Sequence, residues 1–449
     1  MNCAYDCKKA LVLGAGVSGA AAARLLLARG GRVLLRDEGD EAKAAPVAEC
    51  VRAAGGRAVF GGGELPDEPF DVCVASPAFA MNHPWIEACR RRGIALISEL
   101  ELGACYWAGR VLAVTGSKGK SSVVKFCADA LNGAGVSAAP AGNYGTPLCQ
   151  LVLETPDLAW AVTEVSSFQM EHTWTFSPEI AVLLNLQADH LDRHADLAEY
   201  RGLKLKMFSA MRPGAVALLP VGLDEEGRIP NGVRALRFGE AAAGGDWAYG
   251  GHEVRGPFGE GLCRVALEGS WFDNPVLGVA AAAAVAALRY AGLDEGQIRR
   301  GLEAFEPLPH RVQLVGESKS GVRFVDDSKA TSLAATAAAL RMVRKPVRLI
   351  AGGLLKEDDL ESIKELLTQT TKKVYLIGRC SEKLGQAWSV SVPCEQCGTL
   401  EKAVDAAVRD AQSGDTVLLS PGTASFDQFK SYRERGERFT ARVRAVADL

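Results

Sequence analysis

Thr115-Gly116-Ser117-Lys118-Gly119-Lys120-Ser121-Ser122 follows the apolar run Val111–Val114 and opens a helical pattern. Glycines let a loop wrap closely around an anion, and the N–H groups at a helix start point at it. Lys120 in this context would reach the β- and γ-phosphates of a nucleotide, and a hydroxyl of Ser121 or Ser122 would hold Mg²⁺. Val114 stands where a longer phosphate loop has its first glycine, so the loop is of a short kind. A second glycine pattern, Gly14-Ala15-Gly16-Val17-Ser18-Gly19, follows the apolar Ala10–Leu13 and also opens a helix. Asp37 lies at the end of the next strand-like segment, where a ribose or base contact would sit. On residues alone, this loop suits a nicotinamide cofactor, another nucleotide, or a turn kept for packing.

Two further groups could carry chemistry. Glu164, in Thr163-Glu164-Val165-Ser166-Ser167-Phe168-Gln169, follows a strand over 159–162. His190, in Asp189-His190-Leu191-Asp192-Arg193-His194, follows a strand ending near Asn185. A carboxylate and an imidazole at strand ends near a phosphate loop suit a divalent cation. His190 and His194 are four apart, but no third ligand accompanies them, so His194 is expected at the surface or as a cap. Near the C-terminus, Leu308-Pro309-His310-Arg311, Asp326-Asp327-Ser328-Lys329-Ala330-Thr331, Gly352-Gly353 before Lys356, and Ser420-Pro421-Gly422-Thr423-Ala424-Ser425 mostly follow apolar strands. Their cations and hydroxyls could bind phosphate or carboxylate.

These groups need strands that end together. The chain reads as strand, turn, helix, repeated, which predicts an α/β fold with parallel sheets. Fresh starts near residues 108 and 306 predict three domains, 1–108, 109–305 and 306–449. The first is expected to be Rossmann-like. The second should be P-loop ATPase-like with a mostly parallel sheet, and the third again Rossmann-like. A length of 449 residues agrees with about three domains. Net charge is −3, from 51 basic and 54 acidic side chains, so no bulk positive field exists for nucleic acid. The longest apolar run, 276–288, falls short of the roughly 20 residues of a bilayer span. No leader pattern precedes the first strand. A cytoplasmic monomer acting on small molecules, with no nucleic-acid or membrane partner, is expected. The 12 cysteines are scattered, and Cys394 and Cys397 lack further metal-ligand partners nearby.

Taken in order, these motifs resemble the Mur ligases over nearly the whole chain, and within them the D-glutamate-adding branch. The pieces Glu164–Gln169, Asp327–Thr331 and Ser425-Phe426-Asp427-Gln428-Phe429-Lys430 carry the narrower likeness. The resemblance implies ATP-dependent ligation of D-glutamate to UDP-N-acetylmuramoyl-L-alanine through an acyl phosphate, in peptidoglycan precursor synthesis. It implies that Gly116, Ser117, Lys118, Gly119, Lys120, Ser121, Ser122, Asn274, Arg311 and Asp327 bind ATP. It puts the UDP-substrate on Gly14, Gly16, Val17, Ser18, Gly19, Asp37, Ser76, Asn143, Ser166 and Gln169. D-Glutamate falls to Lys329, Thr331, Lys356, Ser425 and Tyr432. Lys120, Glu164, His190 and Lys204 become catalytic. Mg²⁺ would lie on Ser121, Ser122, Glu164, His190 and a carbamylated Lys204. Without the carbamate, Lys204 reads as an ordinary helix-surface lysine. Ala188, Glu357 and the stretch 273–277 depart from the family pattern. They leave open another Mur-type or folylpolyglutamate-type ligase, or a catalytically silent nucleotide-binding relative.

Overall fold

A computed structural model describes residue 5 and residues 7–187, 193–223, 228–355 and 359–449. Among the described residues, the strands form three sheets. The first contains β1 (Lys9–Leu13), β2 (Arg32–Asp37), β3 (Arg57–Phe60), β4 (Val72–Ala75) and β5 (Ala95–Ser98). All its pairings are parallel, in the order β3-β2-β1-β4-β5. The order reverses between β1 and β4, which places a crevice beyond their C-terminal ends. The helix Val17–Ala28 lies close on this sheet because the side chains it buries include Ala21, Ala22 and Ala23.

The second sheet contains β6 (Arg110–Thr115), β7 (Ala138–Gly142), β8 (Trp160–Glu164), β9 (Ile180–Leu183), β10 (Val216–Pro220) and β11 (Arg234–Glu240). It continues with β12 (Trp247–Gly250), β13 (Glu253–Phe258) and β14 (Gly261–Ala266). The order is β14-β13-β12-β11-β10-β9-β6-β8-β7, parallel from β7 to β12 and antiparallel at the far edge. Strands buried on both faces must be apolar where they are buried, which is why Val111–Val114 of β6 and all of β9 read as unbroken hydrophobic runs.

The third sheet contains β15 (Gln313–Glu317), β16 (Arg323–Asp326), β17 (Val347–Gly352), β18 (Thr371–Ile377), β19 (Cys394–Gly398) and β20 (Thr416–Leu419). Its order is β15-β16-β20-β17-β18-β19, parallel except for β15.

The chain forms two compact units, Met1–Asp273 with Gly278–Phe305, and Asn274–Leu277 with Glu306–Leu449. The first two sheets share a unit for a physical reason. One apolar cluster runs from Val12 and Leu25 to Ala113, Val165 and Leu219. Glu101, fully buried, accepts the backbone N–H groups of Trp174, Thr175 and Phe176 at 3.0, 2.7 and 3.1 Å and the Tyr5 hydroxyl at 2.8 Å. A buried carboxylate is tolerated when its oxygens are filled in this way. No described helix is long and apolar enough to cross a membrane.

Candidate active site

The phosphate loop leaves β6 at Thr115 and enters the helix Lys120–Gly133. Gly116 (φ 144°) and Gly119 (φ 87°) hold backbone angles that side chains rarely adopt, so glycine is required at both. Asn185, just beyond β9, shapes the loop. Its Oδ1 accepts the N–H groups of Ser117 (3.1 Å) and Lys118 (2.9 Å), and its amide donates to Lys118 O at 3.0 Å. Ser117 is buried. It donates to Gln187 O at 2.8 Å and lies 3.0 Å from the Tyr200 hydroxyl. Lys118 is exposed, Ser121 half-buried and Ser122 buried.

Lys120 Nζ donates to Gly116 O at 2.9 Å and Ser117 O at 3.2 Å. Lys204 Nζ donates to the same Gly116 carbonyl at 2.9 Å and lies 4.6 Å from the Tyr200 ring centre. Two ammonium groups therefore meet at one carbonyl of the loop. Lys204 is only 2% exposed, so the surface reading of it is corrected. Its helix, Leu197–Leu205, turns this face inward together with Tyr200.

Glu164 ends β8 in register with Val114, one residue before the loop's Thr115. It is buried; its Oε1 accepts from Asn143 Nδ2 at 2.7 Å, while its Oε2 is buried without a hydrogen-bond partner. An unpartnered buried carboxylate oxygen suits a hard cation such as Mg²⁺. Among the described residues no group of three or more His, Cys, Asp and Glu could hold a metal. His190 and its neighbour Asp189 lie outside the described residues, as does Lys356. Ser166 and Gln169 cap the short helix after Glu164 reciprocally, with Ser166 N donating to Gln169 Oε1 at 3.0 Å. The expectation that His194 lies at the surface or caps a helix is corrected. The side chain is buried, bonded to Ser167 Oγ at 2.9 Å, and stacked on Phe168 with ring centres 5.3 Å apart. Its aromatic neighbours gave no local sequence signal.

In the first sheet, Gly14 has φ 99°, and a Cβ there would stand 2.8 Å from Ser76 Cβ and 3.3 Å from Phe79. The loops after β1 and β4 therefore touch at the crevice. Asp37 binds backbone rather than standing free, accepting from Ala15 N of this loop and from Gly39 N of the turn after β2 at 2.7 Å each. Val17 is 73% exposed, an apolar side chain at the start of the helix that this loop opens.

In the C-terminal unit the loops after β16, β17 and β20 converge. Leu354 and Ala424 exchange backbone hydrogen bonds at 2.8 and 3.0 Å, and Gly422 N donates to Ala330 O at 3.0 Å. Lys329 lies 4.1 Å from the Tyr432 ring centre, and burial pulls its ammonium below the usual lysine range. Burial alone would raise the Tyr432 phenol, but the Arg433 hydrogen bond and the nearby positive charges outweigh it, so the phenol is lowered. Thr331 is half-buried and Ser425 buried. Asp327 accepts from Ser420 Oγ at 2.7 Å and Val312 N at 3.2 Å, and burial pushes its carboxyl up to about 7. Asn274 Oδ1 accepts Val276 N and Leu277 N, ahead of the helix Gly278–Ala291. Arg311 follows Leu308 in a turn closed by its own N–H at 3.2 Å.

Sequence reasoning missed Arg435. Fully buried, it donates to Ser328 Oγ (3.0 Å), Ser328 O (2.8 Å) and Thr423 O (3.2 Å), clamping the loops after β16 and β20 together. Burial lowers its guanidinium to about 10. The adjoining Gly436 was the available signal. A Cβ there would stand 2.7 Å from Asp326 Oδ2, the atom that meets His310 Nδ1 at 2.7 Å.

A phosphate loop with a buried carboxylate at the end of the neighbouring strand, in one unit with a parallel-sheet crevice, defines a nucleotide-binding α/β protein. The Mur ligase middle domain matches residues 114–254, and the Mur ligase glutamate ligase domain matches 310–422. The UDP-N-acetylmuramoylalanine–D-glutamate ligase of Koribacter versatilis is 35% identical, with 98% of each chain covered. That of Frankia casuarinae is 38% identical, covering 97% of this chain and 93% of its own. The chain belongs to the Mur ligase family, among the UDP-N-acetylmuramoylalanine–D-glutamate ligases. Solved structures share the fold. MurF ligase from Thermotoga maritima in complex with ADP has a TM-score of 0.61 at 18% identity, over 93% of this chain and 96% of its own. UDP-N-acetylmuramate–alanine ligase MurC from the same organism has a TM-score of 0.58 at 16% identity, over 98% and 99%. A dehydrogenase reading of the first glycine loop falls away with this membership.

Proposed function

We propose that the chain joins D-glutamate to UDP-N-acetylmuramoyl-L-alanine at the expense of ATP, in peptidoglycan precursor synthesis. The observation that carries this reading is the meeting of Lys120, Lys204 and the Gly116 loop beside Glu164, whose buried Oε2 has no protein partner. In the first step a carboxylate oxygen of the substrate attacks the γ-phosphorus of ATP, and ADP leaves. In the second the amine of D-glutamate attacks the acyl-phosphate carbonyl, giving the amide and releasing phosphate. The first step brings an anion to a polyanion, so charge neutralisation dominates its barrier. Lys120 supplies one positive charge on the loop, and the N–H groups of Gly119–Ser122, at the start of the helix, supply dipoles; those of Ser117 and Lys118 are held by Asn185. Glu164, Ser121 or Ser122, and His190 would hold Mg²⁺, which when bound neutralises phosphate charge. Carbamylated Lys204 would add a carboxylate to that set.

The remaining groups take the other substrates. Gly14, Gly16, Val17, Ser18, Gly19, Asp37 and Ser76 hold the UDP portion, with Asn143, Ser166 and Gln169 along its path. Asn143 also orients Glu164 through their hydrogen bond. Lys329, Thr331, Lys356, Ser425 and Tyr432 take D-glutamate. Asn274, Arg311 and Asp327 meet the nucleotide. Three functional domains, 1–108, 109–305 and 306–449, follow, in a cytoplasmic monomer whose state sedimentation would establish. The deciding assay supplies ATP, Mg²⁺, UDP-N-acetylmuramoyl-L-alanine and either D- or L-glutamate, and reads phosphate release and product mass. Absence of a D-glutamate-dependent product would sink the proposal.

A further inference from the structure

Arg193 makes a junction that the reaction groups above leave unexplained. Its guanidinium donates to three successive carbonyls, Pro77 O at 2.9 Å, Ala78 O at 3.4 Å and Phe79 O at 2.8 Å, and to Glu171 Oε2 at 2.9 Å. It also lies 4.8 Å from the Phe168 ring centre. The side chain is 17% exposed and that of Glu171 only 3%, so this is no surface ion pair. The three carbonyls belong to the loop after β4, the wall against which Gly14 is pressed. The next residue, His194, is bonded to Ser167, three residues beyond Glu164. Two adjacent residues thus join the crevice of the first sheet to the carboxylate end of the second.

We infer that Arg193 is a positioning residue that sets how far the UDP-substrate's carboxylate reaches toward the γ-phosphate of ATP. The inference rests on the function proposed above. The UDP portion is gripped by the first sheet and the reacting carboxylate lies at the second. Any slip of the Ser76–Phe79 loop therefore moves the attacking oxygen along its line of approach. A planar, forked guanidinium can meet three carbonyls and a carboxylate at once, whereas a lysine ammonium is a point charge on a flexible stem. Displacement of reacting groups by an ångström costs about a hundredfold in rate even when binding survives.

The test compares wild type, Arg193→Lys and Glu171→Gln. Wild-type formation of a D-glutamate-dependent product judges the proposed function by itself, and the ratios between variants judge Arg193. Arg193→Lys is expected to lower kcat about a hundredfold, with Kd for ATP and for the UDP-substrate within about threefold of wild type. Its melting temperature should stay close to wild type. Glu171→Gln keeps the carbonyl contacts and should retain most of kcat. With N-acetylmuramoyl-L-alanine, which lacks the UDP grip, wild type and Arg193→Lys should react equally slowly. Three results would each overturn the inference: an unchanged kcat in Arg193→Lys, the same loss with the UDP-free substrate, or an equal loss in Glu171→Gln.

Discussion

The two glycines that flank Val17 and Ser18 separate binding from folding. Gly16 has φ −74° and ψ −175°, angles open to any residue, and a Cβ added there would find nothing within 4 Å. Gly19 is different: its Cβ would stand 2.9 Å from the Gly14 carbonyl carbon, with the carbonyl oxygen nearer still. Ordinary contact begins at 3.4 Å, so Gly19→Ala must push the helix Val17–Ala28 away from the loop. Overpacking of this kind costs about 1–3 kcal/mol, and in a unit of about 300 residues each kcal/mol lowers Tm by roughly 1.5 °C. Gly16→Ala loses a preferred N-cap but also reduces unfolded-chain freedom, and these terms, each under about 1 kcal/mol, offset one another. If the loop holds the UDP portion as proposed, the added methyl would occupy the open space through which the backbone approaches the pyrophosphate. Calorimetric titration with the UDP-substrate should give Gly16→Ala at least about tenfold weaker binding, or about 1.4 kcal/mol. Its Tm should match wild type. Gly19→Ala should melt lower. Wild-type affinity in Gly16→Ala would refute the assignment of this loop to the substrate's phosphates, and an unshifted Tm in Gly19→Ala would refute the packing argument.

Three other outcomes follow. Lys120→Ala should reduce ATP-dependent turnover by at least about 10³-fold while titration still detects the UDP-substrate. Normal turnover would misplace ATP. Lys204→Ala should lower the rate and regain part of it with a short carboxylic acid, since the acid would restore the carboxylate that the carbamate brings; full activity in the alanine variant rules the carbamate out. Glu99 is fully buried, and burial lifts its carboxyl from 4.5 to about 7, only partly opposed by the Cys149 N–H bond at 2.7 Å. Its stabilising contribution is complete below pH 4.5 and disappears as pH rises through 7. Ionising it costs up to about 3 kcal/mol above pH 8. Glu99→Gln should therefore gain Tm over wild type between pH 5 and 8.5, and a constant difference would contradict this.

Legibility tracked the distance between partners. Strands such as Val72–Ala75 and Thr416–Leu419 end where their apolar runs end, because burial on both faces demands such runs. The phosphate loop was legible because its chemistry lies within eight consecutive residues. The hairpin joining β12 and β13 was not. Its turn, Gly251-His252, has φ 60° and 62° without the Asn-Gly pair that usually signals two left-handed residues. Glu101, Arg193 and Arg435 escaped for another reason. Each meets mostly main-chain groups, up to 116 residues away for Arg193, and a carbonyl carries no residue identity to read.

Glu164 shows why an unfinished hydrogen-bond pattern can identify chemistry where a residue type cannot. Several buried atoms here lack partners, Trp160 Nε1 and Trp247 Nε1 among them. A neutral indole N–H inside a core costs about 1–3 kcal/mol and holds nothing. A carboxylate costs more, so a site selected for stability alone would fill both its oxygens, as Glu101 fills its own with backbone N–H groups. Asn143 instead fixes one oxygen of Glu164 and leaves the other bare. The fixed oxygen restrains the rotamer, and the bare one is held at the end of the strand that pairs with the one leading into the phosphate loop. Electrostatic stabilisation is effective when the groups are oriented before the charge arrives. The same division of labour extends to Arg193, which holds the carbonyls of the loop after β4 and, on the inference above, would act on the substrate only through that loop. The side chains proposed to touch the reactants are short-range and motif-borne, while Glu101, Arg193 and Arg435, which join separate loops, act largely through the main chain.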